Sequence, residues 1–182
     1  MFFRSERLFL RPAWPEDANA IHRAIAHEDI VRNLATAPWP YALKDARAFV
    51  ALERSAKHPS FIVTLPGQGL VGSAGMGMDP ETGRLQCGYW IARDWWGRGF
   101  ATEATRAILQ IAHALGHREM TASHFMDNPA SGKVLRKAGF MPTGEIRQGY
   151  SLARGCSDPV ACFVARLGSD DDDDREDMRR AA

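Results

Sequence analysis

The sequence predicts an α/β (α+β) fold in which one mixed central sheet carries helices on both faces. Strand-like and helix-like segments follow one another in the order βααβββαβαβ, an order typical of a sheet covered by helix layers. No repeat with a period of roughly 20 to 50 residues appears, and no linker divides the chain. The 182 residues are 45% hydrophobic and 25% charged, which suits one ordinary core. We therefore expect one domain over residues 1–168.

The first third of the chain predicts one strand followed by two helices. Residues 7–11 alternate polar and apolar side chains as a half-buried strand does, and Pro12 then interrupts the pattern. Apolar residues recur at helical spacing over 18–25 and again over 44–56. The proline-rich segment 37–41 between them is predicted to be a loop.

A change of hydrophobic period to two marks a three-stranded antiparallel meander. Apolar runs cover residues 61–65, 70–78 and 85–91, and turns rich in glycine and proline separate them at 66–69 and 79–83.

The last third returns to alternating helices and strands. An apolar stripe predicts a helix over 101–115, which Gly116 ends. A strand over 120–125 follows, then a helix over 129–138 and a final strand over 160–167.

Charge is distributed unevenly along the chain. Lys plus Arg number 23 against 22 Asp plus Glu, so the net charge is +1. Residues 170–182 hold seven acids and three arginines, a net charge of −4 that leaves +5 for the rest. We expect an acidic, disordered tail over 169–182. The near-zero net charge of the full chain predicts neither nucleic acid nor a membrane as a partner. The net positive charge of the residues before the tail suits a small anionic ligand.

The sequence predicts a cytoplasmic protein with reduced cysteines. No run approaches the roughly 18 apolar residues of a membrane helix, and the N-terminus lacks the apolar stretch of a signal peptide. Cys87, Cys156 and Cys162 are odd in number and lack metal-ligand spacing, so we expect no metal site.

The segment 95–103 is the most informative part of the chain, because it joins a predicted strand to the start of a long predicted helix. Gly97 and Gly99 allow the backbone to approach a ligand closely. The first amides of a helix have no intrahelical partners and carry a partial positive charge, so a pyrophosphate fits here and Arg98 adds a cation. The alternative is an ordinary helix entry in which Glu103 complements the helix dipole.

Two other nucleotide-binding motifs fit this segment poorly. The phosphate-binding loop of nucleotide triphosphatases needs a Gly-Lys pair followed by Ser or Thr, which the chain lacks. A dinucleotide fingerprint needs a third small residue where Thr102 stands, and it needs a parallel strand before the loop. The predicted strand belongs to an antiparallel meander.

Three separated segments in the right order resemble one protein family. Residues 88–92 with 96–104 resemble the acetyl-CoA-binding segment of the GNAT family of N-acetyltransferases. Residues 128–131 with 137–140, and the opening 5–12, resemble the ribosomal-protein alanine acetyltransferase branch of that family. The resemblance covers about residues 5–167.

The resemblance implies a mostly antiparallel sheet of about six to seven strands, splayed between the fourth and fifth, with acetyl-CoA as co-substrate in the gap. It implies that the amides of residues 97–101 hold the pyrophosphate and that residues 90–92 pair with the pantetheine. The implied acetyl-CoA-binding residues are Trp90, Ile91, Ala92, Trp96, Gly97, Arg98, Gly99, Phe100, Ala101, Thr102, Asn128 and Ser131.

The implied activity is direct acetyl transfer from acetyl-CoA to a primary amine, either a protein N-terminus or a small molecule, in a monomer or a homodimer. The family often places Glu just before the Gly-Tyr pair, where this sequence has Gln86 and Cys87. The base therefore stays unassigned, and a catalytically silent acyl-CoA-binding module is the alternative function.

Two residues are candidates for catalysis, each with a structural alternative. Ser131 either donates its hydroxyl to the departing sulfur or bonds backbone in its helix. His124 either takes a proton from the amine through a water or is satisfied by local hydrogen bonds. Asn128 either caps that helix or bonds the pantetheine amides.

Two further sets of side chains have weaker functional interpretations. One member of a basic cluster could contact the 3′-phosphate of the cofactor, although a solvated helix face is the simpler interpretation; the cluster is Lys133, Arg136 and Lys137. Four aromatic residues could wall a substrate pocket or anchor the core and loops; these are Trp14, Trp39, Tyr41 and Trp95.

Overall fold

The computed structural model describes residues 1–168 and contains an eight-stranded sheet. The strands are β1 Phe3–Arg4, β2 Phe9–Arg11, β3 Ser60–Leu65, β4 Gly69–Met78, β5 Leu85–Ile91, β6 Glu119–Phe125, β7 Met141–Ser151 and β8 Cys156–Arg166. The helices are α1 Ala18–Ile25, α2 Glu28–Val31, α3 Leu43–Ala51, α4 Phe100–Ala114 and α5 Pro129–Ala138. The order across the sheet is β1-β2-β3-β4-β5-β6-β8-β7. The predicted acidic tail lies outside the described residues.

The expectation of six to seven strands was wrong, because the sheet has eight. The sequence pattern shows neither β1 nor β7. Two-residue β1 is too short to display a period. In β7 all but the last residue is partly or fully exposed, and Pro142 and Gly144 resemble turn residues, so its apolar side chains are too sparse to alternate. An edge strand with one paired neighbour tolerates both residue types.

The helices cover both faces of the sheet, as alternate residues of β3 demonstrate. Phe61 and Val63 pack in the core beneath α4 and α5, whereas Ile62 packs in a second core with α1 and α3. In the first core, α4 buries a stripe that includes Phe100 and Ile108. Fully burying a side chain of that size stabilises the fold by about 1.5–3 kcal/mol.

The pairing of β5 with β6 positions the site. It is parallel, and across the described residues it has one residue pair in register, Gln86 with Thr121. Every other neighbouring pair of strands is antiparallel. Because parallel strands end at the same edge of a sheet, the helices that follow them, α4 and α5, both begin at this edge.

Two further observations bear on expectations from composition. Among residues 1–168, no helix is long and apolar enough to cross a membrane. Cys87, Cys156 and Cys162 are all free thiols.

Candidate active site

A cavity of about 800 Å³ opens where α4 and α5 begin. Such a volume accommodates an elongated small-molecule ligand. One side, here called the loop wall, is formed by Trp96, Gly97 and 99–102. Another, here called the hairpin wall, is formed by residues 33–36 and by residues 147–150 of β7.

The loop wall begins with two glycines that have left-handed backbone. Gly97 has φ +74° and Gly99, the N-cap of α4, has φ +81°. This conformation favours glycine because a Cβ crowds the backbone there. A Cβ added at Gly97 meets no atom within 4 Å. The loop therefore leaves open space beside the unpaired first amides of α4, as an anion site requires.

Most of the sequence-predicted cofactor residues line this cavity, and two do not. Ala92 is buried in the core of α1 and α3, and the exposed Arg98 lies over the Trp95 ring at 4.9 Å. The indole of Trp96 donates a hydrogen bond of 2.6 Å to the Ile91 carbonyl. This bond ties the loop wall to the end of β5.

Ser131 lies in the first turn of α5 and faces a residue that the sequence did not single out for catalysis. The Tyr89 hydroxyl on β5 is 2.8 Å from Ser131 Oγ, and both residues line the cavity. Burial raises the pKa of Tyr89 to about 12, although its hydrogen bond with Ser131 opposes this effect. Asn128 caps α5, because its Oδ1 accepts from the Ser131 amide at 3.3 Å. Its amide NH₂ is left as a donor.

His124 lines the cavity, but its two ring nitrogens differ. Nδ1 lies 2.8 Å from the Phe125 carbonyl, which can only accept, so Nδ1 donates and Nε2 carries the lone pair of the neutral ring. Nε2 lies against Gly132 of α5, where an added Cβ would approach it to 2.5 Å. Phe163 packs against the ring at a centroid distance of 5.5 Å. Gly132 thus allows α5 to sit close to this imidazole.

The position before Gly88 holds no ionisable base. Burial raises the pKa of the Cys87 thiol to about 12, so the thiol stays neutral. Gln86 reaches Ser123 Oγ at 3.5 Å.

Only some members of the basic cluster and of the four aromatic residues line the cavity. Lys133 and Lys137 line the cavity, whereas Arg136 lies over the Phe163 ring. Trp95 alone of the four aromatics lines it, and Tyr41 is buried in the core of α1 and α3.

Glu103 in the first turn of α4 binds the N-terminal segment. Its carboxylate accepts from Ser5 Oγ, from the Arg7 amide and from Arg7 Nε, each at 2.7 Å, and from the Leu8 amide at 3.2 Å. Burial acts to raise the pKa of Glu103, but these hydrogen bonds and the Arg7 charge outweigh it and hold the pKa below the ordinary value. Arg7 Nη1 also donates to the Arg98 carbonyl at 3.1 Å.

Arg154, in the turn between β7 and β8, connects segments that adjoin the hairpin wall. Its side chain is 7% exposed. Nε donates to the Arg32 carbonyl at 2.7 Å, and the guanidinium bonds Asp127 at 2.8 and 3.0 Å and Asp158 at 2.9 Å. The hydrogen bonds from Arg154 are the first cause of the lowered pKa of Asp127. Three distant segments thus meet at one side chain.

Comparison with known proteins agrees with this architecture. A family model described as "Acetyltransferase (GNAT) domain" matches residues 7–141. An uncharacterised N-acetyltransferase of Bacillus licheniformis is 29% identical over 159 residues, which are 83% of this chain and 88% of that protein.

Two solved structures share the fold at low sequence identity. A GNAT-family acetyltransferase from Bacillus anthracis has a TM-score of 0.78 and 21% identity, with 92% of this chain and 99% of that one covered. RimL, a ribosomal alpha-N-protein acetyltransferase in complex with coenzyme A, has a TM-score of 0.76 and 18% identity, with 92% and 98% covered.

Proposed function

This chain belongs to the GNAT acetyltransferase family, and from that premise we propose that residues 1–168 form an N-acetyltransferase domain. Its reaction moves acetyl from acetyl-CoA directly to a primary amine, with both substrates bound together. The acceptor is a protein N-terminus, as in the branch that the sequence resembles, or a small-molecule amine. One observation carries the proposal: a loop with two left-handed glycines at the N-terminus of α4 and a serine–tyrosine pair line the same cavity.

The loop wall supplies the donor side of this proposal. The unpaired amides of residues 97–101 point their partial positive charge at a pyrophosphate, and the left-handed glycines keep Cβ atoms out of its way. Lys133 and Lys137 add cations to the same cavity. The single registered pair between β5 and β6 leaves the strand ends free to accept a pantetheine arm between them.

Ser131 and Tyr89 act on the leaving group. When the amine nitrogen attacks the carbonyl carbon, the C–S bond breaks and sulfur leaves as a thiolate. The Ser131 hydroxyl donates a hydrogen bond to the developing charge while it accepts one from Tyr89. Tyr89, with a pKa of about 12, is a much weaker acid than a thiol, whose ordinary pKa is near 8.5, so the phenol does not transfer its proton to the thiolate. The pair therefore stabilises the thiolate by hydrogen bonding, and solvent supplies its final proton.

The amine proton leaves through His124. Nε2 of the neutral imidazole is the acceptor, because Nδ1 is held by the Phe125 carbonyl. In this proposal a bridging water carries the proton from the amine to the ring, which lines the cavity.

A silent acyl-CoA-binding module is the second candidate, favoured by one observation. The position before Gly88 holds a buried neutral thiol, Cys87, instead of a carboxylate. Such a module would bind the thioester and leave it intact whatever amine is present.

A two-stage experiment tests the proposal. Acetyl-CoA should raise the melting temperature by mass action while NAD and ATP do not; equal shifts from NAD contradict the donor assignment. Thiol release from acetyl-CoA is then followed with and without a panel of amines. Amine-dependent release supports the enzyme, and binding without release supports the silent module. Mass spectrometry of products from a cell extract with acetyl-CoA identifies the acceptor.

A further inference from the structure

The opening segment Ser5-Glu6-Arg7-Leu8 is a motif that the proposed reaction does not use. Neither Arg7 nor Glu103 lines the cavity. Yet the Arg7 guanidinium touches three parts of the loop region: it pairs with Glu103 at 2.7 Å, donates to the Arg98 carbonyl at 3.1 Å, and lies over the Phe100 ring at 4.6 Å. A side chain from the N-terminal segment therefore connects directly to the glycine loop.

Beyond the hydrogen bond of the Trp96 indole to Ile91, the residues of the loop do little to order the segment between its two glycines. Gly97 and Gly99 have no side chains, and glycine loses more conformational freedom than any other residue when it is fixed. Gly99 occupies the N-cap of α4, where a Ser, Thr, Asp or Asn side chain would normally hold the first turn. Here the hydrogen bond from Arg7 to the Arg98 carbonyl, between the two glycines, fixes the backbone instead.

Charge gives Arg7 a second effect on the same loop. Glu103 places a negative charge in the first turn of α4, where it complements the helix dipole but repels an anionic ligand. Arg7 offsets that charge, and amide and hydroxyl donors of the segment 5–8 occupy the remaining carboxylate lone pairs. The start of α4 is thereby left favourable to an anion.

We propose that Arg7 is a positioning residue for coenzyme A binding: it braces the backbone at Arg98 and neutralises Glu103, so that the loop amides are aligned and electropositive before the ligand arrives. The proposal rests on the proposed function and extends it to a residue outside the cavity. Preorganisation of this kind strengthens binding by removing the cost of ordering the loop.

The chain offers a matched control for this role. Arg11 also pairs with a carboxylate at 2.7 Å, that of Asp17, and lies over an aromatic ring, that of Trp14, at 4.0 Å. Its contacts lie in the segment before α1, and none reaches the loop. Arg7→Met and Arg11→Met therefore remove similar interactions from the same end of the chain.

Calorimetric titration with coenzyme A separates the two variants. We expect Arg7→Met to raise the Kd on the order of tenfold and Arg11→Met to leave it unchanged, although both lower the melting temperature. Arg7→Lys keeps the charge but not the fork of donors, so its Kd should fall between wild type and Arg7→Met. Wild-type affinity in Arg7→Met, or an equal loss in Arg11→Met, overturns the positioning role.

Amide hydrogen exchange of the ligand-free proteins tests the brace without coenzyme A. We expect faster exchange across residues 97–101 in Arg7→Met than in Arg11→Met or wild type. Equal exchange in all three overturns the brace. If wild-type protein does not bind coenzyme A, the proposed function fails, and the exchange comparison still decides whether Arg7 orders the loop.

Discussion

The loop wall and the hairpin wall of the cavity are built in different ways. Between Trp96 and Thr102 the loop wall is a continuous segment, whose glycines and helix amides produce its chemistry. The hairpin wall consists of segments far apart in sequence. Arg154, which follows its β7 part, hydrogen-bonds Asn33 in its other part and the adjoining Arg32, Asp127 and Asp158. The contrast teaches that one side of the site follows from local sequence and the other from long-range contacts.

This difference matches what each wall has to recognise in the proposed reaction. A pyrophosphate is the same in every acetyl-CoA, so a short fixed loop with backbone donors suffices. The acceptor varies among members of a family that share a fold, and loops or edge strands can change without disturbing the core. We therefore expect substitutions in the loop wall to change donor affinity and those in the hairpin wall to change acceptor affinity.

The largest expected effect comes from Gly99→Asp. The change adds a carboxylate to the loop wall at a glycine with φ +81°, where an added Cβ would lie 3.4 Å from Arg7 Nη2, so the new charge both repels the proposed pyrophosphate and draws Arg7 away from Glu103. One like-charge pair about 4 Å apart, at an effective dielectric near 20, costs about 4 kcal/mol, or near a thousandfold in Kd for coenzyme A. Calorimetry measures that Kd, and a circular-dichroism melt measures the fold.

Gly67→Asp is the matched control for that variant. Gly67 is also left-handed, with φ +76°, and an added Cβ meets nothing within 4 Å in its turn before β4. It should show a similar backbone strain with native coenzyme A affinity. If Gly99→Asp binds coenzyme A as Gly67→Asp does, the loop wall is an ordinary helix entry.

Ser131→Ala tests the proposed role of Ser131 in acetyl transfer. Loss of a donor to the developing thiolate should lower kcat by about a hundredfold with little change in the KM for acetyl-CoA. Tyr89→Phe should lower kcat less, because the Ser131 hydroxyl remains. Steady-state kinetics of both variants measure kcat and the KM for acetyl-CoA. An unchanged kcat with a lower melting temperature in Ser131→Ala would leave Ser131 only its structural role in α5.

Arg154→Met tests the hairpin wall alone. We expect the KM for the amine acceptor to rise about tenfold while the Kd for coenzyme A stays native, because the lost contacts leave the loop wall intact. Arg154 is buried but Asp127 and Asp158 remain partly exposed to solvent, so losing these contacts should lower stability by only about 1 to 2 kcal/mol. Arg84→Met, which removes the exposed Arg84–Glu119 pair, is the control that should change neither constant. A parallel loss of coenzyme A affinity in Arg154→Met would show that the walls are not independent.

The smallest expected effect is on the free energy of unfolding at acid pH. Glu103 and Asp127 both have pKa values below the ordinary 4.5 and 3.8 in the folded protein. A lowered folded pKa stabilises the fold above the ordinary pKa, and that contribution is lost as pH falls through the lowered value. Glu103→Gln and Asp127→Asn should therefore each flatten the decline of unfolding free energy below about pH 5.

The effects of these two substitutions on the pH dependence of stability should differ in size. Glu103 is the less exposed carboxylate and accepts from two backbone amides, whereas solvent screens Asp127 more strongly. Urea unfolding at several pH values measures both slopes. A larger flattening in Asp127→Asn would mean that the hairpin wall carries more of the acid-sensitive stability than the loop wall.

Elements with strong periodic patterns were predicted closely, and those without such patterns were not. The helix predicted over 129–138 matches α5, and its Pro, Asn and Gly punctuation is confirmed at both ends. The helix predicted over 44–56 ends earlier, at Ala51, because no burial supports the residues beyond it. Four-residue α2 escaped prediction, since one turn is too short to show a helical stripe.

The candidate site was predicted in the same uneven way. The cavity contains the predicted Gly97, Gly99, Ser131 and His124, all of which lie in or near recognisable local motifs. Tyr89 lies within residues 88–92, which resemble the acetyl-CoA-binding segment of the family, yet nothing local indicates that its hydroxyl contacts Ser131, 42 positions later. This contact between a strand residue and a helix residue depends on the register of β5 beside β6, and the hydrophobic period of the sequence does not predict that register.

The sequence by itself determined the elements whose cause is local: the left-handed glycines, the capped start of α5, and the buried stripe of α4. Each follows from backbone sterics or from the period of apolar side chains within about four residues. Only the tertiary structure decided which distant charges meet, as Arg7 does with Glu103 and Arg154 with Asp127. A charged side chain has many partners of opposite sign in the chain, and the packing of the sheet and helices selects one by bringing it within about 3 Å.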